Sequence, residues 1–293
     1  MASESIDMPS ADVLVRRRAV QWRAGLALIG RSLGGVLKPL IAVAFVLAAL
    51  QTVLVLQANA QQEAQSFGRI AEMMPAFVRR SLGEMTLVVV SFQGAVCAAF
   101  FHPVVVLLVT FLGVYFGSEP AHDVEASLVD LVLARPLPRH WVITRSLALI
   151  LLGTCGAVAV LALAMAVSLR LFAAANAAAA APAAMTVLKM ALNLAAVATL
   201  AGTISLAAAS GARRRGTAIT VAGVTVVFFY LVTFLEPTWA PAAAIGPLSP
   251  FHYYHPVNML AGRGEPWRDV AVLAAASIAC AAFAWWQFNR RDL

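Results

Sequence analysis

The sequence predicts an all-α membrane protein, a polytopic transmembrane helical bundle of about six spans. Three observations carry this. The 293 residues are 61% hydrophobic and only 12% charged, where a soluble domain carries about 25% charged residues. Several apolar runs reach the ~20 residues that a bilayer-crossing helix needs, and only helices or closed barrels satisfy their backbone polar groups in lipid. The basic residues gather in short clusters beside those runs, the pattern that encodes orientation in membrane proteins. A net charge of +7 and a pI near 10 therefore do not indicate nucleic acid, and no basic-plus-aromatic binding motif accompanies them.

The N-terminal segment, residues 1–38, is read as cytoplasmic with an amphipathic helix. Trp22, Leu26, Ile29, Leu33 and Val36 recur at helical spacing on one face, and Arg16, Arg23, Arg31 and Lys38 fall on the other. That pattern suits a helix lying on the cytoplasmic lipid surface. The run after it ends in Gln57-Ala58-Asn59-Ala60, which looks like a small-residue cleavage site. The run is longer than a signal-peptide core, so an uncleaved first span is expected.

The transmembrane domain, residues 39–293, contains spans over about 39–56, 97–117, 146–169, 185–209, 217–235 and 269–287. Apolar character also covers 85–96, which would be a re-entrant or interfacial element or a further span. Charge favours six crossings. With the N-terminus inside, the cytoplasm receives Arg16, Arg17, Arg18, Arg23, Arg31, Lys38, Arg135, Arg139, Arg145, Arg213, Arg214, Arg215, Arg290 and Arg291. That is two thirds of the 21 basic residues, and both termini are then cytoplasmic.

Chemistry is sparse. There is no Walker A sequence, HExxH, GxSxG or GxGxxG, so the chain has no phosphate-binding loop of its own. All 14 acids fall in loops, tails or span ends, which leaves proton-coupled transport without its usual intramembrane carboxylates. Cys97, Cys155 and Cys280 lie in apolar runs as small fillers, with no CxxC pair. Gln51, Asn193 and Lys189 are polar residues in or near spans, read as interhelical hydrogen-bonding groups or as lining of a substrate path. Gly153, Gly156, Gly202 and Ser205 allow close helix approach. His252 and His255, with no third ligand nearby, are thin support for a metal.

The loop Ser118–Arg145 is the most informative stretch. Glu119, Asp123 and Glu125 precede an apolar pattern of Leu128, Leu131 and Val132, and Pro136 and Pro138 stop the helix. A short amphipathic helix of this kind suits docking into a partner's groove. The segment carries Glu125, Asp130, Leu131, Val132, Leu133, Ala134, Pro136, Leu137 and Arg139 against the pattern E-x-G-T-L-[DE]-L-L-L-[AS]-x-P-[VL]-S-R. It departs at Ser127, Leu128 and Pro138. On these residues, on Leu248–Tyr254 before the last span, and on the six-span plan, the chain resembles the permease subunits of ABC-2 type ABC transporters.

That resemblance implies a transmembrane subunit of an ATP-driven exporter in the bacterial cytoplasmic (inner) membrane. It would have no catalytic residues and no cofactor of its own. An ABC ATP-binding subunit would hold ATP and Mg, and a second permease subunit, identical or not, would complete the assembly. The ATPase-coupling contacts would come from Asp123, Glu125, Asp130, Leu131, Leu133, Arg135, Pro136 and Arg139. The alternative is a stand-alone integral membrane channel or a membrane scaffold for another complex.

Overall fold

A computed structural model describes residues 11–73, 75, 88–126, 140–173 and 180–290. Among the described residues all regular structure is helical. Six helices are long and apolar enough to cross a membrane: Trp22–Glu63, Phe92–Gly117, His140–Phe172, Ala184–Gly211, Arg215–Leu235 and Pro266–Asn289. Each of the six expected spans falls inside one of them.

The first helix, α1 (Ala11–Glu63), continues through Pro39 without a break. At 1.5 Å per residue its 53 residues extend about 80 Å. It runs parallel to α6 (His140–Phe172), and one register fixes the pair along its length. A Cβ on Gly25 would overlap the Trp141 indole, and Thr52 bonds Ser168 at 3.0 Å. Residues 22–38 therefore follow α6 together with the span, and do not form a separate helix. Trp22 meets Trp141 edge-on, with ring centroids 5.2 Å apart.

After the short α2 (Phe67–Met73), the second crossing is built from two pieces. Helix α3 (Phe92–Phe101) opens on Ser91, whose Oγ accepts from the Gly94 N–H. It stops at His102, whose backbone is extended, and α4 (Pro103–Gly117) restarts with Pro103 in its first turn. Proline has no N–H to continue the preceding helix but fits a first helical turn. Residues 92–96, the end of the apolar stretch 85–96 that the sequence leaves open as a re-entrant or interfacial element or a further span, form the start of the second crossing. No seventh crossing occurs among the described residues.

Helix α7 (Ala184–Gly211) is the hub. It packs on α4, α6, α8 (Arg215–Leu235) and α11 (Pro266–Asn289). Small residues let it do so, as dispersion and close backbone approach hold helices together where lipid supplies no hydrophobic drive. A Cβ on Gly113 would overlap the Ala198 carbonyl oxygen, and one on Gly117 would overlap that of Gly202. Ser205 Oγ donates to the Val114 carbonyl oxygen at 2.7 Å, which locks the α4–α7 register. Gly153 and Gly202 make the close approaches expected of them, to Phe116 and Ile150. Gly156 meets nothing within 4 Å.

The polar span residues divide. Gln51 Nε2 donates to the Val96 carbonyl oxygen at 2.9 Å and ties α1 to α3. Asn193 is fully buried, and neither of its side-chain polar atoms has a hydrogen-bond partner among the described residues. Large apolar side chains such as Phe45, Val224 and Phe234 on α1 and α8 point outward, as expected for surfaces facing lipid.

At Gly113 the opposing atom is backbone and cannot swing away. Gly113→Ala should lower stability by about 1–3 kcal/mol through overpacking, while Gly156→Ala should leave it unchanged or raise it slightly. Thermal melting in detergent distinguishes the two. Equal melting temperatures would contradict the α4–α7 contact.

Candidate functional site

Helix α4 ends at Ser118, and Glu119-Pro120 immediately begins a two-turn helix, α5 (Glu119–Glu125). Pro120 fits the first turn, and Glu119 puts a carboxylate at the positive end of the helix dipole. Glu119 and Asp123 are four residues apart, so their side chains share one face. That face turns inward, and Glu119, Pro120, Ala121 and Asp123 are all buried.

Two arginines, each from the first turns of another span, meet it. Arg145 of α6 donates from Nη2 to Asp123 Oδ2 at 2.6 Å. The two side chains are only 5% and 7% exposed. Arg215, the first residue of α8, donates from Nη2 to Glu119 Oε1 at 2.9 Å and from Nε to Ser118 Oγ at 3.0 Å. Its guanidinium lies 4.3 Å over the Tyr115 ring. The backbone N–H of Arg215 donates to Glu125 Oε2 at 2.8 Å, so a carboxylate from α5 caps the N-terminus of α8. Beside this contact a cleft of about 470 Å³ is lined by Glu125, Arg214, Gly216 and Thr217, among others.

The arrangement is a clasp. Helix α5 is continuous with α4 and is held by ion pairs to α6 and α8, so three spans are tied to one short helix. Its two buried carboxylates, Glu119 and Asp123, are each paired with an arginine, as buried ions require. Of the coupling residues expected from sequence, Asp123 and Glu125 lie in this clasp and are bound within the chain. Asp130, Leu131, Leu133, Arg135, Pro136 and Arg139 fall outside the described residues. Arg145 and Arg215 escaped the sequence reading, because basic residues at span ends read first as orientation signals. The available signal was the i, i+4 spacing of Glu119 and Asp123 opposite two such cations.

The opposite face is closed by the connector from Glu236 to Glu265. It holds α9 (Ala240–Ile245), two 3₁₀ turns and α10 (Pro256–Leu260). Ser249 Oγ caps the Phe251 N–H, donates to the Phe229 carbonyl oxygen and bonds Thr233. The Tyr254 hydroxyl donates to the Phe100 carbonyl oxygen, at the broken end of α3. His252 Nδ1 lies 2.9 Å from Glu236 Oε1, and the His252 and His255 rings are 6.1 Å apart. His252 is thus engaged by a carboxylate.

A scan against protein-family models finds no match to this chain, and a search of curated proteins finds none either.

Two predictions follow from this geometry. Removing one member of a buried pair leaves the other charged and desolvated, at a cost of about 3–5 kcal/mol. Arg145→Ala should therefore be among the most destabilising single changes on this face, well above Arg214→Ala, whose side chain is exposed. Denaturation in mild detergent would show it, and equal effects of the two changes would refute the clasp.

The second prediction concerns pH. Burial lowers the His255 pKa from 6.5, and nearby His252 lowers it further, while Asp269 and Glu236 act to raise it. The unfolded chain then binds the proton more readily than the folded one. The His255 contribution to stability is intact above about pH 7 and falls as pH drops through 6.5. His255→Gln should flatten the melting temperature between pH 7 and pH 5 relative to the parent. An unchanged profile would contradict the partial desolvation of this imidazole.

Proposed function

We propose that this chain is the transmembrane permease subunit of an ATP-driven exporter of the ABC-2 type, with a separate ABC ATP-binding subunit as its motor. The observation that carries the reading is the clasp at α5. A helix free at one end would absorb a push from outside the membrane. One continuous with α4 and ion-paired to α6 and α8 passes it to three spans together. The likeness to ABC-2 permeases runs over 125–139 in sequence, and its first residue, Glu125, belongs to this clasp. The cleft beside Glu125 offers a seat for a partner surface. The chain carries no Walker A sequence, which supports placing the nucleotide chemistry on a partner. A second permease subunit, identical or related, completes the assembly in this reading.

In this proposal the clasp faces the cytoplasm of a bacterial inner membrane, with both chain ends on the same side. The division of basic residues supports that orientation. Ser210 and Ser249 are buried, so labelling sites belong on exposed neighbours. In a background lacking the three cysteines, Thr238→Cys should react with an impermeant maleimide in intact cells, and Arg214→Cys should react only after lysis. The reverse pattern would overturn the orientation.

Coupling is tested by charge reversal in the segment beyond the clasp. Asp130→Lys and Arg139→Glu should each weaken binding of the ATPase or uncouple hydrolysis from export, with membrane levels unchanged. A desolvated interfacial charge pair costs about 2–5 kcal/mol to break, equivalent to roughly 30-fold or more in affinity. The assay is co-purification with a candidate ABC ATP-binding protein, followed by ATPase stimulation. Full binding and stimulation in both variants would reduce the segment to a connector. ATP hydrolysis by the rigorously purified single chain would contradict the division of labour.

A further inference from the structure

On the face opposite the clasp, a cleft of about 300 Å³ opens between the break in the second crossing, the last turns of α8 and the connector. Phe101, Tyr230, Phe234 and Phe251 supply aromatic walls, and Val106 lies among them. Tyr230 and Phe251 are fixed edge to face at 5.2 Å. Phe251 and Val106 are buried, while Phe234 is 72% exposed toward the surroundings of α8. The walls are set by hydrogen bonds that leave their own polar groups occupied. Thr233 is held by Ser249, and the Tyr254 hydroxyl is held by Phe100.

Two polar groups of the lining are different. The His255 imidazole and the Asn258 carboxamide have no hydrogen-bond partner among the described residues. Both lie toward the α10 side of the cleft, at its start and within it. His252, nearby, is taken up by Glu236, and the lining itself contains no carboxylate, lysine or arginine, so nothing in the walls of the site calls for a charged ligand. Its body is apolar, its hydrogen-bonding capacity sits at one end, and α8 ends within a turn of Phe234, at a bilayer boundary. A pocket of this size is at the small end of those that enclose organic ligands, which excludes a whole diacyl lipid.

We propose that this cleft binds a small uncharged amphiphile from the membrane, its aryl or short alkyl body between Tyr230, Phe234 and Phe251 and its hydroxyl or amide head at His255 and Asn258. Neutral imidazole offers one donor and one acceptor, and the carboxamide offers both kinds, so a hydroxyl or amide is satisfied within a lining that holds no carboxylate, lysine or arginine to pair with an ammonium or a carboxylate. The exposed Phe234 side chain marks the entry from lipid. The site is independent of the exporter reading, and its test contains no ATPase.

The experiment uses the full chain in phosphatidylcholine nanodiscs and the trifluoromethyl-diazirine derivative of benzyl alcohol as photoprobe, with adducts mapped by mass spectrometry. Labelling should be saturable, concentrated on peptides bearing Tyr230, Phe251 or Tyr254, and competed by butylphenol. Val257→Trp, which fills the mouth, should reduce it at least fivefold at an unchanged melting temperature. His255→Ala and Asn258→Ala should each weaken it roughly two- to tenfold, the range of one hydrogen bond. Benzylammonium and benzoate should compete at least tenfold less well. Three results would overturn the proposal: non-saturable labelling spread along the exposed faces of α1 and α8, full labelling in Val257→Trp together with both polar variants, or equal competition by the charged analogues. Displacement by a short-chain phosphatidylcholine at equal concentration would likewise assign the cleft to bilayer lipid and reject the small amphiphile.

Discussion

The pairing of Asp123 with Arg145, away from water, fixes how this bundle ends. A carboxylate and a guanidinium that are each less than a tenth exposed cannot part without leaving a desolvated charge behind. That constraint holds α5 flat against the ends of α6 and α8. The Glu119–Arg215 pair and the Glu125 cap on α8 then follow from the short reach of a two-turn helix. The consequence is mechanical. Three spans that would otherwise be coupled only through side-chain packing gain a common rigid attachment at one membrane face.

Helix α7 plays the complementary part inside the bilayer. Gly113, Gly117 and Gly202 bring backbones together where no side chain could fit, and Ser205 fixes the register. An attachment at the face is useful to the whole only if the spans beneath it move as packed units, and this tight α4–α7 contact supplies that rigidity. The connector from Glu236 to Glu265 is tied back by Ser249 and Tyr254 rather than by burial of a large core. It leaves the aromatic cleft between itself and the break at His102.

The spans were legible in the sequence because lipid imposes a length and a composition that few other structures satisfy. Their ends were less so, since helices continue past the hydrocarbon wherever the sequence permits. Thus α1 runs through Pro39, and its part from Trp22 to Lys38 is one helix with the span and meets α6 at Trp22 and Gly25, although its stripe reads equally well as a surface helix. Glycines were legible as close-approach residues in kind but not in place. Gly153 and Gly202 are used and Gly156 is not, while Gly113 and Gly117 gave no sign apart from their type. The clasp was half legible. Its acids stood out in the loop, but Arg145 and Arg215 carry the same pattern whether they orient a span or bind a carboxylate. Only the fold, which brings residues 22 and 96 positions apart into contact, separates those roles.

The central claim is that Asp123 and Arg145 act as one unit which fastens α5 to the bundle. A double-mutant cycle of Asp123→Arg and Arg145→Asp, read by thermal or denaturant unfolding in detergent, tests this most directly. Each single reversal puts two like charges in a buried site and should destabilise strongly. The double reversal restores opposite charges and should recover a substantial part of the loss, giving a coupling energy above about 1 kcal/mol. Strictly additive effects, with the double variant as damaged as the two singles combined, would contradict the clasp and with it the mechanical link between α5 and three of the spans.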